Sequence, residues 1–266
     1  MQSDTSTKDV IISPYAGGLG DNLCFSTLPE MYARTGFKVL IGRPMVEPNI
    51  RNLEVQQLVW EANPFVSGYT EEMGKTFSHR EMHHWIWAQN ETRTLVEAME
   101  ALHGFTPVHK YPKIYYEPNK RPDAKNEIFA DPTSISQNIT PEAFDEFARH
   151  ICNARGYELS EIVVLSSKYS GKKGATALAG NRRYVVRDIF EYADLIFSCR
   201  LFITSESGGA ILASAIRGEA KSPEIMTLFA TNGMNDRLFQ FPNVRYCVTG
   251  KVENDYFFHQ KLQESI

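Results

Sequence analysis

An apolar run, a glycine-bearing turn and a helical pattern follow one another twice in this chain, first at "VIISPYAGGLGDNL" from Val10 and again at "LFITSESGGAILASAIRG" from Leu201 to Gly218. Strand, tight turn and helix in that order is the opening of a βαβ unit, and an α/β sheet binds ligands at the carboxyl ends of its strands, where such turns lie. The run "FKVLIG" at Phe37 to Gly42 supplies the second strand of the first unit, with helix-length sequence between. Further on, "NLEVQQLVWEA" from Asn52 has helical spacing, "NPFVSGYTE" is a turn into an extended segment, and Arg80 to Leu102 continues as helix to the glycine stop at His103-Gly104.

The segment "YPKIYYEPNKRPDAKN", Tyr111 to Asn126, holds three prolines and no apolar periodicity, as in a connection between domains. We place two lobes around it, 1–122 and 123–266. The second lobe alternates "EIFA" (strand), "TPEAFDEFARHICNARG" (helix), "EIVVLSS" (strand), "VRDIFEYADLIFSC" (helix), the Leu201–Gly218 strand, turn and helix, "EIMTLFA" (strand), and a polar helix after Asn254. The expected fold is α/β, with two doubly wound Rossmann-like lobes facing a central cleft.

The 266 residues suffice for such cores, and a net charge of -4 gives no general pull toward nucleic acid or an anionic membrane. No stretch approaches 18 apolar residues, the first residues form no apolar leader, and Cys24, Cys152, Cys199 and Cys247 are too scattered for a zinc site or a disulfide framework. These features lead us to expect a cytoplasmic protein with buried thiols and no transmembrane segment.

The first glycine turn satisfies neither nucleotide motif: Leu23 stands where a dinucleotide fingerprint needs its third glycine, and no Gly-Lys-Ser/Thr follows. A Rossmann-type oxidoreductase is disfavoured on that ground. Gly18 and Gly20 allow close approach to the backbone, and Asp21 at the mouth of the helix is either an N-cap or a general base. In the second turn the hydroxyls of Ser205 and Ser207, with Glu206, Gly208 and Gly209 at a helix start, suit an anionic diphosphate. Thr133 and Ser134, at the end of the second lobe's first strand, are further candidates for phosphate contact. His79 and His83 have helical ligand spacing with His84 beside them, but no third ligand is identifiable. Trp60, Trp85 and Trp87 read mainly as core, and the basic stretches "SKYSGKKG" and "NRR" as loops.

These turns resemble the family 9 (heptosyltransferase-like) GT-B glycosyltransferases. The similarity is carried by Gly20-Asp21-Asn22-Leu23 with Ser26-Thr27-Leu28-Pro29, by "FADPTSISQNITPEAFDEFARHI", and by "ADLIFSCRLFITSESGGAILASAI" from Ala193 to Ile216. The sequence departs from the family pattern at Glu206, where Asp is usual, at Ile211, where His is usual, and at Asn138, near a common phosphate-binding Lys. Members are typically longer, so the first lobe is expected to be trimmed.

The resemblance implies inverting, metal-independent transfer of a sugar from a nucleotide-diphosphate-sugar to an acceptor hydroxyl, with no cofactor and no bound metal. Asp21 is then the general base, Gly18, Gly20 and Asn22 line the loop at the reaction centre, and Thr133, Ser134, Ser205, Glu206, Ser207, Gly208 and Gly209 bind the donor. The acceptor is a saccharide or glycolipid, or a hydroxylated base in DNA if clusters such as "HKYPK" and "NKRPDAK" build a basic groove. The alternative is a non-catalytic protein of the same fold that binds a nucleotide sugar.

Overall fold

A computed structural model of the chain describes residues 8–45, 53–89, 93–133, 139–167, 177–230, 241–252 and 255–261. The chain forms two compact units, Met1–Glu117 and Pro118–Ile266.

The first unit is built on β1 (Asp9–Ile12), β2 (Lys38–Ile41) and β3 (Val66–Tyr69), parallel and in the order β1-β2-β3. After β3 the chain crosses to the opposite edge of β1, where Lys75 forms a parallel bridge with Ile12. The Ser13 and Lys75 amides donate to Lys75 O (3.1 Å) and Ile11 O (2.9 Å), so this bridge adds a one-residue parallel pairing on the other edge of β1. Two glycines permit it. A Cβ on Gly74 would overlap Ile11 backbone, and one on Gly42 would lie 2.5 Å from Glu72 O. The change of direction beside β1 is a topological switch point, and the first glycine turn leaves β1 there.

The helix expected between β1 and β2 is two helices, α1 (Leu19–Cys24) and α2 (Leu28–Arg34). Pro29 sits in the first turn of α2, the one place in a helix where its missing N–H and fixed φ are tolerated. Next come α3 (Leu53–Gln56), which widens into a π turn over Gln57–Glu61, then α4 (His79–Trp87) and α5 (Leu95–Leu102). The single helix expected over Arg80 to Leu102 is therefore a pair, because Ser78 with Glu81 and Thr94 with Glu97 each form a capping box that starts a new helix.

Among the described residues the second unit carries seven strands in the order β10-β9-β8-β7-β4-β5-β6: β4 (Ile128–Asp131), β5 (Ile162–Ser167), β6 (Arg182–Val186), β7 (Leu201–Ser205), β8 (Glu224–Ala230), β9 (Arg245–Val252) and β10 (Asp255–Lys261). All pairs are parallel except β9 with β10. Read from β4 onward, this is the doubly wound 3-2-1-4-5-6 order with one added antiparallel edge strand, and its switch point lies between β4 and β7. Helices α6 (Pro141–Arg155), α7 (Ile189–Ser198) and α8 (Gly208–Arg217) complete the unit. Ile128, Phe144, Phe147, Ile151, Val164 and Leu201 are among the side chains of its core.

Two expectations fail here. The sequence after Asn254 is strand β10, whose register runs from Asp255 opposite Val252 to Lys261 opposite Tyr246. The aromatic run Tyr256-Phe257-Phe258 favours a pleated strand, and β9 offers it an edge. The stretch "NRR" leads into edge strand β6, where Arg182 pairs with Glu127 at 2.6 Å. The stretch "SKYSGKKG" lies mostly outside the described residues. The four cysteines are free and buried. No helix among the described residues is long and apolar enough to cross a membrane.

Candidate functional site

The switch point of the second unit collects most of the candidate donor residues. β4 ends at Asp131 and runs through Pro132 to Thr133; β7 ends at Ser205 and turns through Glu206 and Ser207 into α8, with Gly208 and Gly209 as its first helical residues. Ser134 lies outside the described residues. The Ser205 hydroxyl donates to Thr133 O at 3.1 Å, so Ser205, itself fully buried, ties the β7 turn to the β4 loop. Thr133 is also turned inward, its amide (2.9 Å) and its hydroxyl both donating to Asp131 Oδ1.

The groups not tied into the β4 loop are those of the α8 start. Ser207 is the N-cap residue but its side chain makes no capping bond, and its Oγ is a buried polar atom with no hydrogen-bond partner among the described residues. The first N–H groups of any helix have no intrahelical acceptor, which leaves a hydroxyl and backbone donors at the positive end of α8. Glu206 is buried, and burial pushes its carboxyl up to about 8, so at neutral pH it adds little negative charge to this turn.

Asp131 and Tyr192 were not foreseen from sequence. The Tyr192 hydroxyl, on α7, donates to Asp131 Oδ2 at 2.5 Å, and burial raises the Asp131 carboxyl against three hydrogen bonds that lower it. A Cβ on Gly209 would overlap the Tyr192 hydroxyl, so only glycine lets α8 come this close.

In the first unit, the turn after β1 leads through Gly18, the N-cap of α1, to Asp21 in the helix's first turn. The N-cap reading of Asp21 is thereby corrected. Gly18 instead makes room for that carboxylate, since a Cβ there would lie 2.6 Å from Asp21 Oδ2. Gly20 is the second residue of α1. Asn22 is buried beneath the turn: its amide donates to Gly18 O (2.8 Å) and Ala16 O (3.4 Å), and its Oδ1 accepts from the indole of buried Trp60 (2.7 Å). It braces the loop from below, a role closer to scaffold than to reaction centre.

The remaining candidates disperse. His83 and His84 pack edge-on against Trp87, and among the described residues no group of three or more His, Cys, Asp or Glu could hold a metal. The basic clusters are split: Lys110, Lys120 and Lys125 are exposed, whereas His109, Lys113 and Arg121 pair with carboxylates. His109 meets Glu100 at 2.6 Å and Lys113 meets Glu30 at 2.5 Å, while Arg121 pairs with Asp123 and Glu191. Burial pushes Glu30 up, but hydrogen bonds from Lys113, Tyr115 and Arg34 outweigh it and hold the carboxyl at about 2.

No protein-family model and no curated protein matches the chain. Solved structures do. ADP-heptose lps heptosyltransferase II of E. coli aligns over 97% of this chain and 95% of its own at 13% identity, with a TM-score of 0.56. A glycosyl transferase family 9 structure from Veillonella parvula DSM 2008 aligns over 91% and 85% at 10% identity, TM-score 0.55. The chain has a family 9 glycosyltransferase fold. The iron-containing dodecameric glycosyltransferase TibC of enterotoxigenic E. coli H10407 shares this fold, at 13% identity and a TM-score of 0.59 over 94% of this chain. The match spans 64% of TibC, under two thirds of its length. TibC has also been solved in complex with ADP-D-beta-D-heptose. The second unit has the doubly wound order and its switch point, and among the described residues the first unit has three strands and a single bridge.

Proposed function

We propose that the protein is a glycosyltransferase that takes a sugar from a nucleotide-diphosphate-sugar bound at the β4/β7 switch point of the second unit. The observation that carries this reading is the turn Ser205–Gly209: it opens α8 at the switch point of a 3-2-1-4-5-6 sheet, with the Ser207 hydroxyl buried and unpartnered among the described residues. A diphosphate supplies acceptors for that hydroxyl and for the first amides of α8, and the helix dipole favours its charge.

Asp21 takes the proton of the acceptor hydroxyl as its oxygen bonds to the anomeric carbon and the bond from that carbon to the diphosphate oxygen breaks, inverting the centre. The charge that develops on the departing diphosphate is stabilised by the Ser207 hydroxyl and the α8 amides, without a metal. The acceptor is a saccharide or glycolipid in preference to DNA: the net charge is -4, and half of the basic residues in the two clusters, His109, Lys113 and Arg121, are engaged with carboxylates of their own units, leaving Lys110, Lys120 and Lys125 exposed.

Calorimetry with ADP, UDP and GDP, followed by transfer assays with the matching nucleotide sugars in excess EDTA, tests this reading. Binding of one diphosphate and metal-free transfer is the expected result. Binding without transfer to any acceptor makes the protein a nucleotide-sugar binder, and binding of NAD(P) alone overturns the site.

A further inference from the structure

Four elements of the second unit meet in one chain of contacts at the switch point. The Tyr192 hydroxyl of α7 donates to Asp131 Oδ2 at the end of β4, and Asp131 Oδ1 receives the amide and hydroxyl of Thr133. Thr133 O in turn accepts from Ser205 at the end of β7. Gly209, in the first turn of α8, abuts the Tyr192 hydroxyl, and its Cβ position lies 3.4 Å from both Asp131 Oδ2 and Ser207 Oγ. None of these hydrogen bonds belongs to the sheet ladder or to a helix. Asp131 is 9% exposed, and the Tyr192 ring packs edge-on against Phe202 of β7. The hydroxyl thus has one acceptor and one neighbouring glycine, both at the base of the turn.

We infer that Tyr192 and Asp131 are positioning residues: their hydrogen bond fixes the height of the α8 N-terminus against the β4 loop, and so sets where the Ser207 hydroxyl and the α8 amides stand for a diphosphate. This rests on the donor reading above and extends it to two residues that touch no donor. A set of donors acts together on a bound group only when each is held to a fraction of an ångström, which the carboxylate, the hydroxyl and the missing Cβ of Gly209 provide here. Removing the hydroxyl leaves Oδ2 of a buried carboxylate without its donor and frees α8 to settle toward α7. The turn then keeps its sequence and loses its spacing.

The test is the affinity for ADP, UDP and GDP of Tyr192→Phe, Gly209→Ala and the unsubstituted chain, by calorimetry well below the melting temperature. Tyr192→Phe keeps the ring and its packing. It should weaken the bound diphosphate about ten-fold or more, as expected when binding groups are displaced by a fraction of an ångström. Gly209→Ala, which pushes the hydroxyl off, should do the same. Ile151→Val, a buried core change of the same unit, serves as control and should lower the melting temperature without altering affinity. Equal affinity in Tyr192→Phe and the unsubstituted chain overturns the positioning role while leaving the donor site standing. Failure of the unsubstituted chain to bind any of the three diphosphates overturns the donor reading, and this inference with it.

Discussion

The indole N–H of Trp60 donates to Asn22 Oδ1 at 2.7 Å, and the other end of the same amide holds two carbonyls of the first glycine turn. One buried side chain therefore joins the π turn after α3 to the loop that leads into α1 and Asp21. Replacing Asn22 with Ala leaves an indole donor and a turn carbonyl unsatisfied in the interior. The cost should be about 1–3 kcal/mol of stability in denaturant unfolding, the range for orphaned buried polar groups. An unchanged midpoint would show that the turn does not depend on this brace.

His103 should make the first unit acid-sensitive. Its Nδ1 lies 3.0 Å from the Tyr32 hydroxyl, aromatic rings surround it, and burial, with a smaller push from Lys75, lowers the imidazole to about 3. Between that value and an unfolded value of 6.5, the unfolded chain binds a proton that the folded chain does not. Stability from this group is therefore complete above pH 6.5 and lost as pH falls. From pH 7 to pH 5 the loss should be about 2 kcal/mol, and it should vanish in His103→Gln.

Glu206 has the opposite sign. Burial raises its carboxyl from 4.5 to about 8, so between these values the folded chain holds a proton that the unfolded chain lacks, and stability falls as pH rises. From pH 6 to pH 8 the loss should be about 2 kcal/mol, absent in Glu206→Gln. Because this slope opposes that of His103 between pH 5 and 6.5, each is read as a difference between the parent and its variant. A parallel pair of curves for parent and Glu206→Gln would mean the carboxyl is ionised in the fold.

What could be read from the sequence was local. Val10–Ser13, Leu201–Ser205 and the glycine turns announce strand, turn and helix within a few residues, because β-branched runs and glycines act on their own backbone. The contacts that finish the sites are not local. Asp131 and Tyr192 are 61 positions apart, and nothing in "FADPTS" or "EYAD" says that they meet. The Lys75 bridge is a single residue wide and depends on Gly42 and Gly74 being without side chains, so it has no periodicity to detect. Pro29 and the Thr94–Glu97 capping box, by contrast, were visible signs that two expected helices were pairs. Strand β10 was missed because its three aromatics stand together and are followed by the polar run His259-Gln260-Lys261, so it has no period-2 alternation to mark a strand.

Asp21 separates chemistry from structure because Gly18, and not Asp21, caps α1. Asp21→Asn keeps size and shape and removes a charge from the first turn of a six-residue helix, an interaction with the helix dipole worth about 0.3–1 kcal/mol, so folding should be nearly intact. If the carboxylate accepts the proton of the acceptor hydroxyl, turnover should fall about 10² to 10⁴-fold. The affinity for a nucleoside diphosphate should stay unchanged, since the turn proposed to bind it belongs to the other unit. Gly18→Ala gives an independent check. Its new Cβ would lie 2.6 Å from Asp21 Oδ2 and must move that carboxylate, so turnover should drop while the charge remains. Parallel measurement of turnover, diphosphate affinity and melting temperature distinguishes the outcomes. A base predicts loss of turnover alone in both variants, a structural carboxylate predicts loss of melting temperature without loss of turnover, and an Asp21→Asn enzyme at full activity would remove Asp21 from the mechanism.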